Sequence, residues 1–487
     1  MLRHHFQPIK LNNNSNNIDE YFMNKHNPRI FRKKISLTFL LSILIFNFSA
    51  CSSKEKTEDK IGVKTDVNAE NSLVIQAKEL QTGSEKVGID NLKAIELLKK
   101  ASEKGNVEAM YLLSQSNNSN DLYSYSEDKR RYMDYLYQAS AGGNAAAYDD
   151  FLREVNAEIQ LYKVSKFNSQ LEKLEPEFLR RAQKEDGKAM FVIGKYGVSS
   201  ANQFEQCQWV YKAFLLDKNN SEVSQILKNC DEEVLNQLNA PSKEELKQIL
   251  INGTVKKVND LKTKASTGDI RALLEIVDFN ILFLPESFGE LLNEKFLNES
   301  KQKIKDFYIK QGNQGFSDAY IYLANHEDNL LKQEQYLKKA IPLNNVIAYR
   351  ELGYFLLYPE KGQTKNVAKG LEYLETAVKM NDSIAMNYLA VWYDTNTNKE
   401  YNPKKAQSLY EASAKLGNVD AMKNLAFSDE RTDKYKWAVE SFKSGDIDQR
   451  ILTQAKKAYE KGIDVEKDLS QVIYIKSVLS IMYASEK

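Results

Sequence analysis

Thiols, imidazoles and one carboxyl–hydroxyl pair are the groups here with chemistry to offer, and they are few. The 487 residues hold four histidines and three cysteines. His4, His5 and His26 fall within the first fifty residues, which leaves His326 alone in the body of the chain. One imidazole cannot assemble the usual histidine-based zinc site or a two-histidine mechanism. No metal is therefore expected, and His326 reads as a solvated or core residue near a helix end. No Ser/Cys–His–acid set and no G-x-x-x-x-G-K-[ST] phosphate loop is visible. The expectation is no catalytic residue and no cofactor. Glu286-Ser287 sets a carboxyl beside a hydroxyl, and two readings stay open: Glu286 as a general acid, or Ser287 as a helix cap before Leu291 and Leu292.

Cys207 and Cys230 are the remaining pair once Cys51 is set aside. Gln203 to Asp217 reads as one helix and Ser221 to Asn229 begins the next, with the turn centred near Lys218 and Asn219. Each cysteine then stands eleven residues from the turn, at the same height of an antiparallel hairpin. Packed helix axes lie about 8–10 Å apart, whereas a disulfide needs Cα atoms within about 7 Å. Both side chains must face the seam, for which Trp209 and Tyr211 compete. A Cys207–Cys230 disulfide and two buried free thiols are the alternatives.

The elements that must position these groups repeat. From Asn402 to Leu425 one helix closes at Gly417, where glycine accepts the left-handed conformation. Asn418 then caps the next helix, and Ala421 is small enough for a close neighbour. The same turn is placed at Gly105, Gly143, Glu185, Asp217, Gly268, Gly315, Asn344, Asn381, Gly417 and Gly445. An Asn or Asp follows in eight of the ten copies, and Ala stands four residues on in eight: Ala109, Ala147, Ala189, Ala272, Ala319, Ala348, Ala385 and Ala421. The intervals average about 38 residues, a solenoid period. Only 8 prolines among 487 residues leave room for long helices. The many Tyr and Phe sit at core spacings, as do Tyr373, Leu374, Ala377, Met386 and Leu389 in one repeat. Spacing stretches in the middle. Residues 275–300, with an Ile-Leu-Phe-Leu-Pro run at 281–285, read as an inserted loop, an added helix, a degenerate repeat or an ordinary packed connection.

The first fifty residues differ in kind. A basic run (Lys25, Arg29, Arg32, Lys33, Lys34) precedes an apolar stretch from Ile35 to Phe48, then Ser49-Ala50-Cys51. Charge, a short apolar core and small residues describe a secretory signal over residues 1–50, too short for a normal membrane span. Met23 would open a signal of ordinary length, so the start is expected there. Residues 51–86 read as a flexible tether rich in Lys, Glu, Asp and Ser, and 87–487 as about ten repeats. Removing residues 1–50 takes seven Lys/Arg from 68 and two Asp/Glu from 67, which leaves 61 against 65, near −4. That balance does not suggest a nucleic-acid binder, which needs a basic face.

Three resemblances follow from these residues. Phe48-Ser49-Ala50-Cys51 resembles the bacterial lipobox, with Phe48 in place of the usual Leu. That implies cleavage before Cys51 and a diacylglycerol on it. Ser52 in place of Asp implies delivery to the outer membrane, facing the periplasm, an oxidising compartment. The D-x-x-K-A segment at Asp90, Lys93 and Ala94, its copies at Asn402, Lys405 and Ala406 and at Asn366, Lys369 and Gly370, and the A-x-x-G-[DN]-x-x-A turn resemble the Sel1-like repeat family, a relative of the tetratricopeptide repeat. The resemblance implies an all-α fold, a right-handed α/α superhelical solenoid of stacked helix pairs, and a non-enzymatic scaffold for protein–protein interaction. Lipobox, tether and array together resemble lipidated helical-repeat scaffolds of exopolysaccharide export. They imply envelope partners such as an outer-membrane porin and periplasmic secretion factors, and membrane attachment through the lipid. Alternatives are a Sel1-like factor in host interaction or signalling, and a peptidoglycan-cleaving enzyme. The last rests on Glu286-Ser287, which resembles the Glu-Ser pair of lytic transglycosylases without that family's glycine-rich G-L-M-Q type segment.

Overall fold

A computed structural model describes residues 67–84, 87–117, 129–162, 165, 167–197, 202–278, 292–359, 365–428 and 431–485. Met23, Cys51 and Glu286, with the signal and lipobox expectations, lie outside the described residues. Every described element is helical, and no strand occurs among them.

The first helices are α1 (Val67–Thr82), α2 (Asn91–Glu103), α3 (Val107–Asn117), α4 (Lys129–Ala141), α5 (Ala145–Tyr162), α6 (Asn168–Gln183) and α7 (Gly187–Tyr196). The middle of the array holds α8 (Gln203–Leu216), α9 (Ser221–Lys228), α10 (Glu232–Gln237), α11 (Lys243–Ser266), α12 (Ile270–Asp278), α13 (Glu294–Asn313), α14 (Ser317–Asn325) and α15 (Leu330–Ala340). The last are α16 (Val346–Leu357), α17 (Val367–Lys379), α18 (Ser383–Asp394), α19 (Pro403–Lys415), α20 (Val419–Phe427), α21 (Lys434–Lys443), α22 (Gln449–Lys461) and α23 (Leu469–Ser485). Most consecutive helices pack on one another along the array, α9 packs on α11 past the short α10, and α5 packs on α7. The result is an all-α solenoid.

The recurring turn explains the regularity. Nine of its ten marked positions are left-handed: Gly105, Gly143, Gly268, Gly315, Gly417 and Gly445, and also Glu185, Asn344 and Asn381. At Gly417 the amide donates to Ala414 O (3.0 Å) and the next amide, of Asn418, to Ser413 O (3.2 Å), so two orphan carbonyls are satisfied. The Asn418 side chain then accepts from the Ala421 amide at 2.9 Å. The amides of Ala109, Ala147, Ala189, Ala272, Ala348 and Ala385 donate the same bond to their caps, at 2.7–3.2 Å. The alanine four residues past the turn is thus the third helical residue and supplies the capped N–H. A side chain there faces the interior, and all eight such alanines, Ala319 included, are at most 2% exposed.

Departures from this pattern have local causes. Asp217 has φ −142° and is not left-handed. Asn220, not the residue after Asp217, caps α9. Past Gly445 the cap shifts to Asp448, which accepts from the Arg450 amide at 2.9 Å. The long interval from Asp217 to Gly268 is filled by the short α10 and by the 24-residue α11.

Over Val67–Thr82 the tether expected for residues 51–86 is corrected by α1, while residues 51–66 lie outside the described residues. Leu73, Val74, Ala77 and Leu80 recur at helical spacing, and Val74 and Ala77 are buried against Ala94, Leu98, Ala109 and Leu113. Their charged flanks mask this stripe in a composition reading, but covering it removes apolar area from water.

Close crossings need small residues. At the α16–α17 crossing a Cβ on Gly353 would stand 3.0 Å from Gly370 O and 2.7 Å from Leu374 Cγ, and one on Gly370 would stand 3.0 Å from Gly353 O. The stripe Leu374, Ala377, Met386 and Leu389 is buried beside this crossing, while Tyr373 is half-buried with its ring 5.7 Å from that of Tyr349.

Candidate functional site

Residues at equivalent places past the turn carry charge, and they pair from one helix layer to the next. In α5, Asp150 accepts from Tyr111 Oη and Gln115 Nε2 of α3, both at 3.0 Å, and pairs with Arg153 at 2.7 Å. Its neighbour Asp149, 1% exposed, accepts from Lys195 Nζ of α7 at 2.9 and 3.1 Å. Lys195 also lies 3.6 Å from Glu222 of α9, and Lys257 of α11 pairs with Glu275 of α12 at 2.9 Å. Further along, Arg350 of α16 bonds Glu351 (2.7 Å) and Asp382 (3.0 Å), Asn424 of α20 bonds Asn387 of α18 (3.2 Å), and Lys423 pairs with Asp446 (3.3 Å). This polar ladder escaped sequence reading. Part of it had a signal: Asp149, Asp150, Lys195, Glu275, Arg350, Glu351 and Lys423 stand six to ten residues after a turn, inside stripes otherwise read as core.

Burial governs its electrostatics. It pushes the Glu222 carboxyl up to about 7, with Lys195 opposing and Asp149 adding to the rise. It also raises Asp150, against the pull of Arg153 and the Tyr111 hydroxyl. The Tyr388 hydroxyl is pushed well above its ordinary value by burial and by Glu351. A buried charge is tolerable only when paired, so these pairs tie together the layers they join.

Among the described residues the array also touches itself at long range in two places. The loop after α1 seats on α13 and α14. Tyr308 Oη donates to Thr82 O (3.2 Å), Gln311 Nε2 to Ser84 O (2.8 Å), and the Asn91 amide to Asp318 Oδ2 (2.7 Å). Gly88 lies under the Phe316 ring so closely that a Cβ would stand 1.9 Å from Cδ1. Near the other end, α23 packs on α5, and Arg130 of α4 pairs with Glu440 of α21 at 3.1 Å. Burial pushes the Glu440 carboxyl up, but Lys443 and Arg130 together hold it below its usual range.

Beside this second contact lies a cleft of about 520 Å³. Phe167, Phe442 and Tyr459 supply apolar wall. Arg130, Lys443, Lys467, Asp134, Glu466 and Asp468 supply its charged lining. Mixed charge around aromatic surface suits a polar peptide segment better than a small apolar ligand.

The other residues singled out from sequence are dispersed. Cys207 and Cys230 are both 5% exposed and joined as a disulfide across α8 and the end of α9, with Cα atoms 6.1 Å apart. Trp209 and Tyr211 turn to the margin of that core. His326 closes α14, exposed, with Nδ1 2.8 Å from Tyr322 O and its ring stacked on Tyr322 at 4.0 Å. Among the described residues no group of His, Cys, Asp or Glu is arranged to hold a metal ion, and no helix is long and apolar enough to cross a membrane.

The Sel1 repeat family model matches residues 77–106, 346–382 and 383–418. Those windows span the turns at Gly105, Asn381 and Gly417. Solved structures similar to the chain include c5321, a protective antigen of uropathogenic Escherichia coli strains described as displaying an SLR fold. It is 15% identical, with TM-score 0.32, over 85% of this chain and 88% of that one. A Sel1 repeat protein from Oxalobacter formigenes is 19% identical, with TM-score 0.31, over 46% of this chain and 96% of that one. Yeast Tom70 is 13% identical, with TM-score 0.24, over 86% and 96%. No curated protein matches the chain. The chain carries Sel1 repeats, an architecture suited to protein–protein interaction.

Proposed function

We propose that the protein is a non-enzymatic scaffold, anchored by lipid to the outer membrane and facing the periplasm, that assembles envelope proteins for exopolysaccharide export of the alginate type. Its partners on this reading are an outer-membrane porin and periplasmic secretion factors. The observation that carries the scaffold role is the Sel1-type array itself, whose layered helices present extended surface and one cleft. Support for the anchor is the run from Lys25 to Cys51, basic, then apolar, then small. Two acyl chains hold a protein stably at a membrane where one holds it only marginally.

The N-terminal peptide of the mature protein should begin at an acylated Cys51 in mass spectrometry. Cys51→Ser should leave the membrane fraction or remain unprocessed. Recovery of residues 23–50 on the mature protein would overturn the anchor. For the scaffold, a photo-crosslinking residue at Gln471, in the cleft wall, should join the protein to a discrete porin or secretion factor. Unaltered polysaccharide export in a strain lacking the protein would remove the export role.

A further inference from the structure

A second hollow, of about 220 Å³, lies away from the cleft, between α13 and α15. Lys305 of α13 and Lys332, Gln335, Tyr336 and Lys339 of α15 line it. The four α15 residues fall at i, i+3, i+4 and i+7, so they share one helix face. Lys305 and Lys339 each place Nζ 6.0 Å from the Tyr336 ring centroid, and Lys339 also lies 5.6 Å from the Tyr320 ring.

The charge of this hollow is unbalanced. Lys305 is paired with Glu327 at 3.0 Å. Among the described residues no carboxylate lies within salt-bridge range of Lys332 or Lys339, although Lys338, on the adjacent face, is paired with Glu334 at 2.6 Å. Three ammonium groups around one hollow repel unless an anion joins them. The three ammoniums at its wall only donate, and the Gln335 amide and Tyr336 hydroxyl can both donate and accept. Burial raises the Glu327 carboxyl, yet the bonds from Lys305 and the Asn329 amide, with the charges of Lys305 and Lys332, hold it below its ordinary range.

We infer that the hollow between α13 and α15 is an oxyanion site, taking a phosphate or carboxylate group between Lys332, Lys339 and Lys305. Its volume fits one such group with its hydration, not a large ligand. Lysine binds such groups as a mobile point charge rather than a fixed fork. Binding is therefore weak, salt-sensitive and tolerant of the group that carries the charge.

The test uses the folded chain from residue 52 at low ionic strength. Inorganic phosphate and glucuronate are titrated while amide shifts of α13 and α15 are followed, and vesicles containing phosphatidylglycerol form a third arm. Saturable shifts confined to the hollow are expected with phosphate, glucuronate or both. The double variant Lys332→Glu/Lys339→Glu should bind about tenfold more weakly, since each exposed charge contact is worth up to about 1 kcal/mol. Lys332→Arg/Lys339→Arg should retain binding. Lys301→Glu/Lys303→Glu, on exposed parts of α13 outside the hollow, is the control for general charge. Equal binding by the Lys332→Glu/Lys339→Glu protein with unchanged helicity would overturn the site. So would equal loss in the control, or binding to vesicles alone, which would mean a diffuse membrane contact in place of a small-anion site.

Discussion

Glu222 shows how one carboxyl can couple this array to pH. It faces Lys195 and Asp149, with Lys257 also acting on it, and burial lifts it from 4.5 to about 7. A carboxyl raised by folding holds its proton more tightly in the folded state than in the unfolded one. Stability from this group therefore falls as pH rises from about 4.5 to about 7 and is flat beyond. Glu222→Gln should remove that slope. In denaturant titrations the variant should gain on the parent between pH 5 and pH 8, by about 1–3 kcal/mol. An equal difference at both pH values would show that Glu222 is not the group responsible. The ladder around it could not be read from composition. Asp149, Lys195 and Glu222 sit on three separate helices, and their pairing depends on how those three layers align.

At the scale of helices and turns, legibility follows how local the cause is. The turn copies were visible because the left-handed closure, the Asn or Asp cap and the small alanine all lie within five residues. Asn418, Gly417 and Ala421 explain one another without any distant partner. The α1 helix was hidden because its apolar stripe is narrow and its flanks are charged, so it reads as tether until α2 and α3 cover it. The six-residue α10 is too short to show a period. The degenerate α8–α9 hairpin lacks the left-handed residue and carries the Cys207–Cys230 bond, 23 residues apart in sequence. Closing a loop of that size contributes about 3 kcal/mol in the chain-entropy model. Non-reducing peptide mapping of protein purified without reductant should recover the linked peptides, and Cys207→Ser/Cys230→Ser should be less stable by roughly that amount. Alkylation of both thiols in the folded, oxidised protein would rule out the bond.

For the molecule as a whole, the contacts that matter most are the two between distant repeats, and neither left a mark that sequence could reveal. Gly88 lies just before α2, and Phe316, from another part of the array, gives it a steric reason to be glycine. Gly88→Val should unseat the loop from α13 and α14, so small-angle scattering should show a larger radius of gyration with helicity unchanged. An unaltered radius in a fully helical variant would deny that contact its role. An ordinary repeat array touches only its neighbours and can unravel from either end, one unit at a time. Here the Asn91 amide is bonded to Asp318, 227 positions away, and Arg130 to Glu440, 310 positions away. The terminal units cannot fray without breaking bonds in the middle of the chain. Urea unfolding should therefore run as one sharp transition, with a slope set by the surface of the whole array. Refolding should be slow for an all-helical protein, because two very long loops must close before their contacts offset the entropy lost.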